Sequence, residues 1–222
     1  MRNRNLLMLF TALLLAAAPA AGKGKTAKAK PVVVEGESCE QNMNCSWPAA
    51  NISGKAEIKA SSVLENSKEY AAARVLDNNP DTAWCEGRPG TGKGESLRIT
   101  FKNPQAVSAV LVSAGYDKNP DLFAKNSRIK KATLVLSDRT RYELRFSEHF
   151  IDMQSGKASY KPLKTRHEQP NSPQLFILAG EGKPAKKVSW MMLIIDEPVQ
   201  GWKYQDTCMS TFDVIPEKKD DF

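Results

Sequence analysis

The sequence predicts an all-β protein, a jelly-roll β-sandwich of about eight strands with one short helical segment. Three observations carry this. Short apolar runs between residues 52 and 216 are separated by clusters such as "NNPD", "RPGTGKG", "KNPD", "QPNSP" and "EGKP", whose Gly, Pro, Asn and Asp are turn signals. The runs have period two: in "SLRITF", Leu97, Ile99 and Phe101 alternate with Arg98 and Thr100, as in a strand with one buried face. Only "KEYAAARVLD" (68–77) has helical character. Many short strands with little helix argue for an antiparallel sandwich or jelly roll.

The elements follow in chain order. Residues 1–20 read as a signal peptide: Arg2 and Arg4 form a positive n-region, Leu6 to Ala18 an apolar stretch, and Ala18-Pro19-Ala20 a small-residue cleavage site. The apolar run is shorter than the roughly 18–20 residues that span a bilayer, so no transmembrane segment is expected. Localisation is read as exported, periplasmic or secreted. Residues 21–38 are rich in Lys, Ala and Gly and read as a flexible tether. Residues 39–55 are a disulfide-containing lead-in with Cys39 and Cys45. Residues 56–216 form the folded domain, and 217–222 a charged tail. Candidate strands lie at 55–60, 96–101, 106–114, 129–137, 141–147, 174–179, 187–196 and 208–215.

Charge excludes one function class. The chain carries formal charge +7, but six of its cationic residues lie before residue 31 and no acid precedes Glu35, which leaves +1 for residues 31–222. A nucleic-acid-binding domain carries its positive charge on the folded surface, so no nucleic-acid partner is expected.

The run Gly87 to Ser96, "GRPGTGKGES", resembles a phosphate-binding loop. Such a loop needs a buried strand before it, a helix after it, and a Ser or Thr behind its Lys for magnesium. Here Gly94 follows Lys93, the preceding "DNNPDTAWCE" is turn-rich, and a strand follows. The run therefore reads as a Gly-rich link between β segments with Lys93 exposed, and no nucleotide binding is expected.

The stretch from Ala60 to Phe101, "ASSVLENSKEYAAARVLDNNPDTAWCEGRPGTGKGESLRITF", resembles the opening of a discoidin-like domain. This is the galactose-binding-like fold of coagulation-factor type C modules. Asp77, Asn79, Thr82 and Trp84 match its "D-G-N-x-x-T-x-W" motif, with Asn78 in place of the Gly. Asn tolerates left-handed backbone better than most residues. "TAWCEG…GKGESL", "SAGYDKN", "KNSRIKKATLVLSD" and "KYQDTCMSTFDVI" resemble, more narrowly, the glycan-binding domain of bacterial NAD-glycohydrolases. That likeness covers about residues 56–215. It implies an exported, non-catalytic binding module for cell-surface or extracellular glycans. A structural or adaptor domain binding a protein partner at the cell envelope is the alternative.

No catalytic set is apparent. The two histidines, His149 and His167, lack metal-ligand spacing, and since little sequence follows the expected last strand, the resemblance is not expected to carry the enzyme's catalytic domain. The resemblance implies a structural calcium site at Asp77 and Thr82, but the Glu usual in the last strand is replaced in Ser210-Thr211. Those two side chains can instead close the turn by hydrogen bonding to backbone, so no cofactor is assigned. Sugar recognition uses flat aromatic faces beside planar polar groups. Tyr116, Asn126, Arg128, Trp202 and Tyr204 are the glycan-binding candidates on expected loops, while Trp84 and Trp190 read as core. The four Cys of an exported chain suggest two disulfides. The expected pairs are Cys39–Cys45, across five polar residues, and Cys85–Cys208, between neighbouring strands of a jelly roll. The competing set joins Cys39 to Cys208, the end-to-end clamp of many discoidin domains, and Cys45 to Cys85.

Overall fold

The computed structural model of the chain describes residues 30–38, 52–146, 150–152, 157–159, 173–179 and 186–216. In chain order the strands are β1 (Val32–Glu35), β2 (Glu37–Ser38), β3 (Ala56–Ala60), β4 (Trp84–Cys85), β5 (Ser96–Val107), β6 (Ala109–Val112), β7 (Arg128–Leu136), β8 (Arg141–Arg145), β9 (Phe150–Asp152), β10 (Lys157–Ser159), β11 (Gln174–Ile177), β12 (Lys186–Val199), β13 (Cys208–Met209) and β14 (Phe212–Ile215). The single α-helix among the described residues, α1, spans Pro120–Lys125.

A six-stranded sheet, β1-β8-β7-β12-β5-β3, faces a four-stranded sheet, β14-β6-β11-β2, and two-strand pairs join β13 to β4 and β10 to β9. The strands pair antiparallel except β1, which runs parallel to β8. This is the expected jelly-roll sandwich. Its core lies between the sheets. The alternation of β5 buries Leu97, Ile99 and Phe101 and turns Arg98, Thr100 and Lys102 outward, as a period-two pattern dictates. From β12, Val188, Met191, Leu193 and Ile195 point inward. The odd step between Val188 and Met191 is absorbed by an irregularity between Val188 and Trp190, which restores the inward phase. Trp84 is fully buried, and its indole Nε1 donates to Ser62 O at 2.9 Å. Trp190, read as core, is half-buried on the outer face, with the Arg98 guanidinium 4.1 Å from its ring centre.

Three details differ from the sequence reading. The tether expected through residue 38 gives way at Val32 to β1, which pairs with Tyr142–Arg145. "VVVE" is a short run of strong β formers, and its partner is more than a hundred residues away. The helix expected over 68–77 breaks into two 3-10 turns, Lys68–Tyr70 and Ala72–Leu76, because Ala71 is extended at φ −63°, ψ 151°. A true helix forms instead at "NPDLFAK". Asn119 Oδ1 accepts from Leu122 N at 2.8 Å and Pro120 opens the first turn. The residues read as the turn "KNPD" are thus a helix start. Cys39, Cys45, His149 and His167 lie outside the described residues.

The Gly-rich run is the link between β4 and β5, and Lys93 is exposed. It folds around the buried Glu86, whose carboxylate accepts from Arg88 N (2.8 Å) and Thr207 N (3.2 Å). Gly92 has φ +69°, and a Cβ there would stand 2.6 Å from Glu86 Cδ. Gly92→Ala is therefore expected to cost roughly 2–3 kcal/mol in chemical denaturation, combining left-handed strain with displacement of a buried carboxylate. Gly54→Ala isolates the strain, since Gly54 has φ +71° with open space around it, and should cost about 1 kcal/mol. Equal effects at the two sites would show that the Glu86 contact contributes nothing.

Candidate functional site

At one end of the sandwich, three connections and β4 enclose a pocket of about 320 Å³. Leu64 and Glu65 come from a further 3-10 turn at Leu64–Asn66, Tyr70 from the turn at Lys68–Tyr70, Cys85 from β4, and Tyr116 from the loop after β6. Leu122 and Asn126 come from α1 and its C-cap, and Tyr204 and Asp206 from the loop between β12 and β13.

Local hydrogen bonding fixes each wall. The C-terminal end of α1 receives the 201–206 loop: Trp202 N donates to Ala124 O (3.2 Å), and Lys203 N (3.2 Å) and Tyr204 N (2.8 Å) donate to Lys125 O. Gly201 makes this approach possible, because a Cβ there would lie 2.2 Å from Lys125 O. Ser127, fully buried, pins the same loop. Its Oγ accepts from Gly201 N (3.1 Å) and donates to Tyr204 O (3.3 Å), while its N donates to Asp206 O (3.0 Å). One serine thus places both Tyr204 and Asp206. Tyr116 is held by its hydroxyl, which donates to Asp81 O at 3.2 Å. Asn126 is held by Nδ2, which donates to Leu122 O at 2.8 Å. Glu65 adopts left-handed backbone, φ 53° and ψ 14°, a conformation uncommon outside glycine. Burial first, then neighbouring acids and tyrosines, pushes the Tyr70 and Tyr116 hydroxyls above the usual phenol range, so both rings stay neutral at physiological pH.

Of the five glycan-binding candidates, Tyr116, Asn126 and Tyr204 come together on this pocket. Trp202 is the most exposed large apolar side chain among the described residues, at 59 %, and Lys125 Nζ lies 5.6 Å from its ring centre. Arg128 is 7 % exposed, and its guanidinium stands 5.8 Å from the Phe123 ring centre, so it buttresses α1 from below. Glu65, Tyr70 and Asp206 also line the pocket and were not singled out by sequence. Asp206 falls in "KYQDTC", and the motif's value as a marker was its only signal.

The disulfide Cys85–Cys208 is formed, between directly paired residues of β4 and β13. Cys85 therefore contributes no thiol nucleophile. Its place on the pocket wall is structural.

The turn at Asp77 is closed within itself. Thr82 Oγ1 donates to the Asp77 carboxylate (2.8 and 3.0 Å), Asn79 N donates to Asp77 Oδ1 (3.0 Å), and Arg74 Nη1 stands 3.6 Å from Oδ2. Asn78 takes φ 55°, the left-handed conformation expected of it. In the last strands Ser210 Oγ donates to Pro80 O (3.4 Å) and accepts from Asp117 N (3.0 Å). Calcium requires six to eight oxygens, several of them anionic. Here one carboxylate is already bonded and faces a guanidinium, so the donor set does not fit that ion. Chelator is expected to leave the thermal midpoint unchanged, and added millimolar calcium to raise it by less than about 1 °C. A rise of several degrees would show that the turn rearranges around the ion.

Comparison with known proteins places this geometry. No curated protein matches the sequence. Among solved structures, the paired CBM32-1 and CBM32-2 domains of Clostridium perfringens ZmpB in complex with GalNAc match with TM-score 0.55 and 10 % identity, over 87 % of this chain and 42 % of that one. A second structure of the same two domains matches with TM-score 0.54 and 10 % identity, over 87 % and 43 %. The family 32 carbohydrate-binding module of C. perfringens NanJ, in complex with galactose, matches with TM-score 0.46 and 15 % identity, over 75 % and 97 %. This chain spans 27 % of another match, a Ruminococcus gnavus GH29 fucosidase. The family model described as the NAD glycohydrolase translocation F5/8 type C domain matches residues 50–214. With most of its length matched to that model and the discoidin-like sandwich built from its strands, the chain belongs to the NAD glycohydrolase translocation F5/8 type C domain family.

Proposed function

We propose that the chain is an exported, non-catalytic module that binds glycans in the pocket between α1 and the 201–206 loop. The observation that carries this is the convergence of Tyr70, Tyr116 and Tyr204 with Asn126 on one pocket of about 320 Å³. Aromatic faces supply apolar contact for sugar C–H groups, and a few fixed polar groups set orientation. Trp202, exposed on the loop that carries Tyr204, offers a further ring to a longer chain. The ZmpB domains of the same fold were solved in complex with GalNAc, which makes a saccharide the first ligand class to test. Export is supported by the leader-like N-terminus and by the Cys85–Cys208 disulfide, a bond of oxidising compartments. No helix among the described residues is long and apolar enough to cross a membrane.

The test is a glycan array with the full chain. Binding to a defined set of saccharides is the expected result. An empty array, together with tight and specific capture of an envelope protein, would replace the glycan with a protein partner.

A further inference from the structure

We infer that the pocket selects saccharides carrying a free amino group over their neutral, N-acetylated counterparts. This rests on the glycan reading and names the ligand chemistry within it. Two carboxylates, Glu65 and Asp206, line the pocket, and no Lys or Arg is among its described lining residues. Neither carboxylate has a hydrogen bond or an ion pair among the described residues, although two ion pairs form close by. Arg74 stands beside Asp77, and Lys125 bonds to Asp121.

The inventory of donors points the same way. Asn126 Nδ2 is committed to Leu122 O, and the Tyr116 hydroxyl to Asp81 O. What remains on the wall is two carboxylates, which only accept, the Asn126 amide oxygen, and the Tyr70 and Tyr204 hydroxyls, which donate or accept. The two carboxylates ask the ligand to bring donors. A sugar hydroxyl brings one, whereas an ammonium group brings three together with a full positive charge. Three tyrosine rings complete the surround, and aromatic faces attract ammonium groups. The chain already uses that contact on its own rim, where Lys203 Nζ lies 5.0 Å from the Tyr204 ring centre and Lys125 Nζ 5.6 Å from that of Trp202. The acids also act on their surroundings: both Glu65 and Asp206 contribute to raising the Tyr70 hydroxyl, after burial and Glu69.

The experiment is calorimetric titration of the full chain with a glucosamine tetrasaccharide and with its fully N-acetylated counterpart, in mildly acidic buffer at low salt. The amino form is expected to bind roughly tenfold more tightly, an advantage that salt reduces. In Glu65→Gln/Asp206→Asn the two sugars should bind within about twofold of each other. Neither side chain has a bonded partner to lose, so the double variant should keep the wild-type melting temperature. Equal binding of both sugars by the wild type, or a preference for the acetylated one, overturns the charge selection and leaves glycan binding standing. A preference that survives in a folded double variant also overturns it. No binding of these or of any arrayed saccharide overturns both.

Discussion

Replacing Cys85 and Cys208 together by alanine is expected to lower the stability of the domain by about 4–5 kcal/mol. The bridge closes a loop with a sequence separation of 123, and in the chain-entropy description a cross-link over that span removes most of what the unfolded chain gains by opening. A domain of this size has only about 5–15 kcal/mol in total, so the loss is a large share. The bond also has a local role. It joins β4 to β13, and the same two segments carry Glu86, which accepts from Thr207 N, and Trp84, which pairs with Met209. Cys85 itself lines the pocket. Loss of the bridge should therefore weaken ligand binding even where the domain stays folded. Urea unfolding of the oxidised protein and the double variant checks the magnitude. A difference below about 1 kcal/mol would mean that the strand pairing holds this end without the cross-link.

The domain is expected to lose stability as pH rises from about 4 to about 7, and Asp117 is the main cause. Its Oδ1 is buried with no hydrogen-bond partner, while Oδ2 accepts from Ser113 Oγ. Burial pushes the carboxyl up from 3.8 to about 7, against the opposing hydrogen bond from Ser113. The folded protein therefore holds a proton that the unfolded chain releases. Between pH 3.8 and about 7 the native state binds more protons, so stability falls as pH rises. The full difference is on the order of 4 kcal/mol. Burial also raises the Glu86 and Asp213 carboxyls, which act in the same direction. Glu197, held down to about 2 by Lys131 and Lys130, acts the opposite way, but only as pH falls below the ordinary Glu value. Asp117→Asn should flatten the profile, with its largest gain over wild type above pH 7. A wild-type profile that rises between pH 4 and pH 7 would contradict the assignment.

The sandwich was legible because its strands are amphipathic within themselves. Leu97, Ile99 and Phe101 state the buried face of β5 with no help from the rest of the chain. Features that depend on a distant partner were not legible. β1 is four residues behind a Lys-rich run, and only β8 makes it a strand. The helix at Pro120–Lys125 was hidden because Asn, Pro and Asp start helices and turns alike. The pocket divides along the same line. Tyr116, Asn126 and Tyr204 stood out as aromatic and amide residues on loops. Tyr70 was hidden in an expected helix, and Glu65 and Asp206 are ordinary surface acids until three loops converge. Arg128, read as a planar polar group on an expected loop, instead opens β7 and is buried. Its place beneath Phe123 follows from the packing of α1, which no local pattern records.

Glycan binding at the loop end can be separated from binding elsewhere with two single variants. Tyr204 is 39 % exposed on the pocket, whereas Trp190 lies under Arg98 on the outer face of the six-stranded sheet. Calorimetry with the strongest saccharide from the array should show Tyr204→Ala weakened by roughly tenfold or more and Trp190→Ala unchanged. Wild-type affinity in Tyr204→Ala, with binding lost in a folded Trp190→Ala, would place the site on the sheet face and contradict the assignment of the loop pocket.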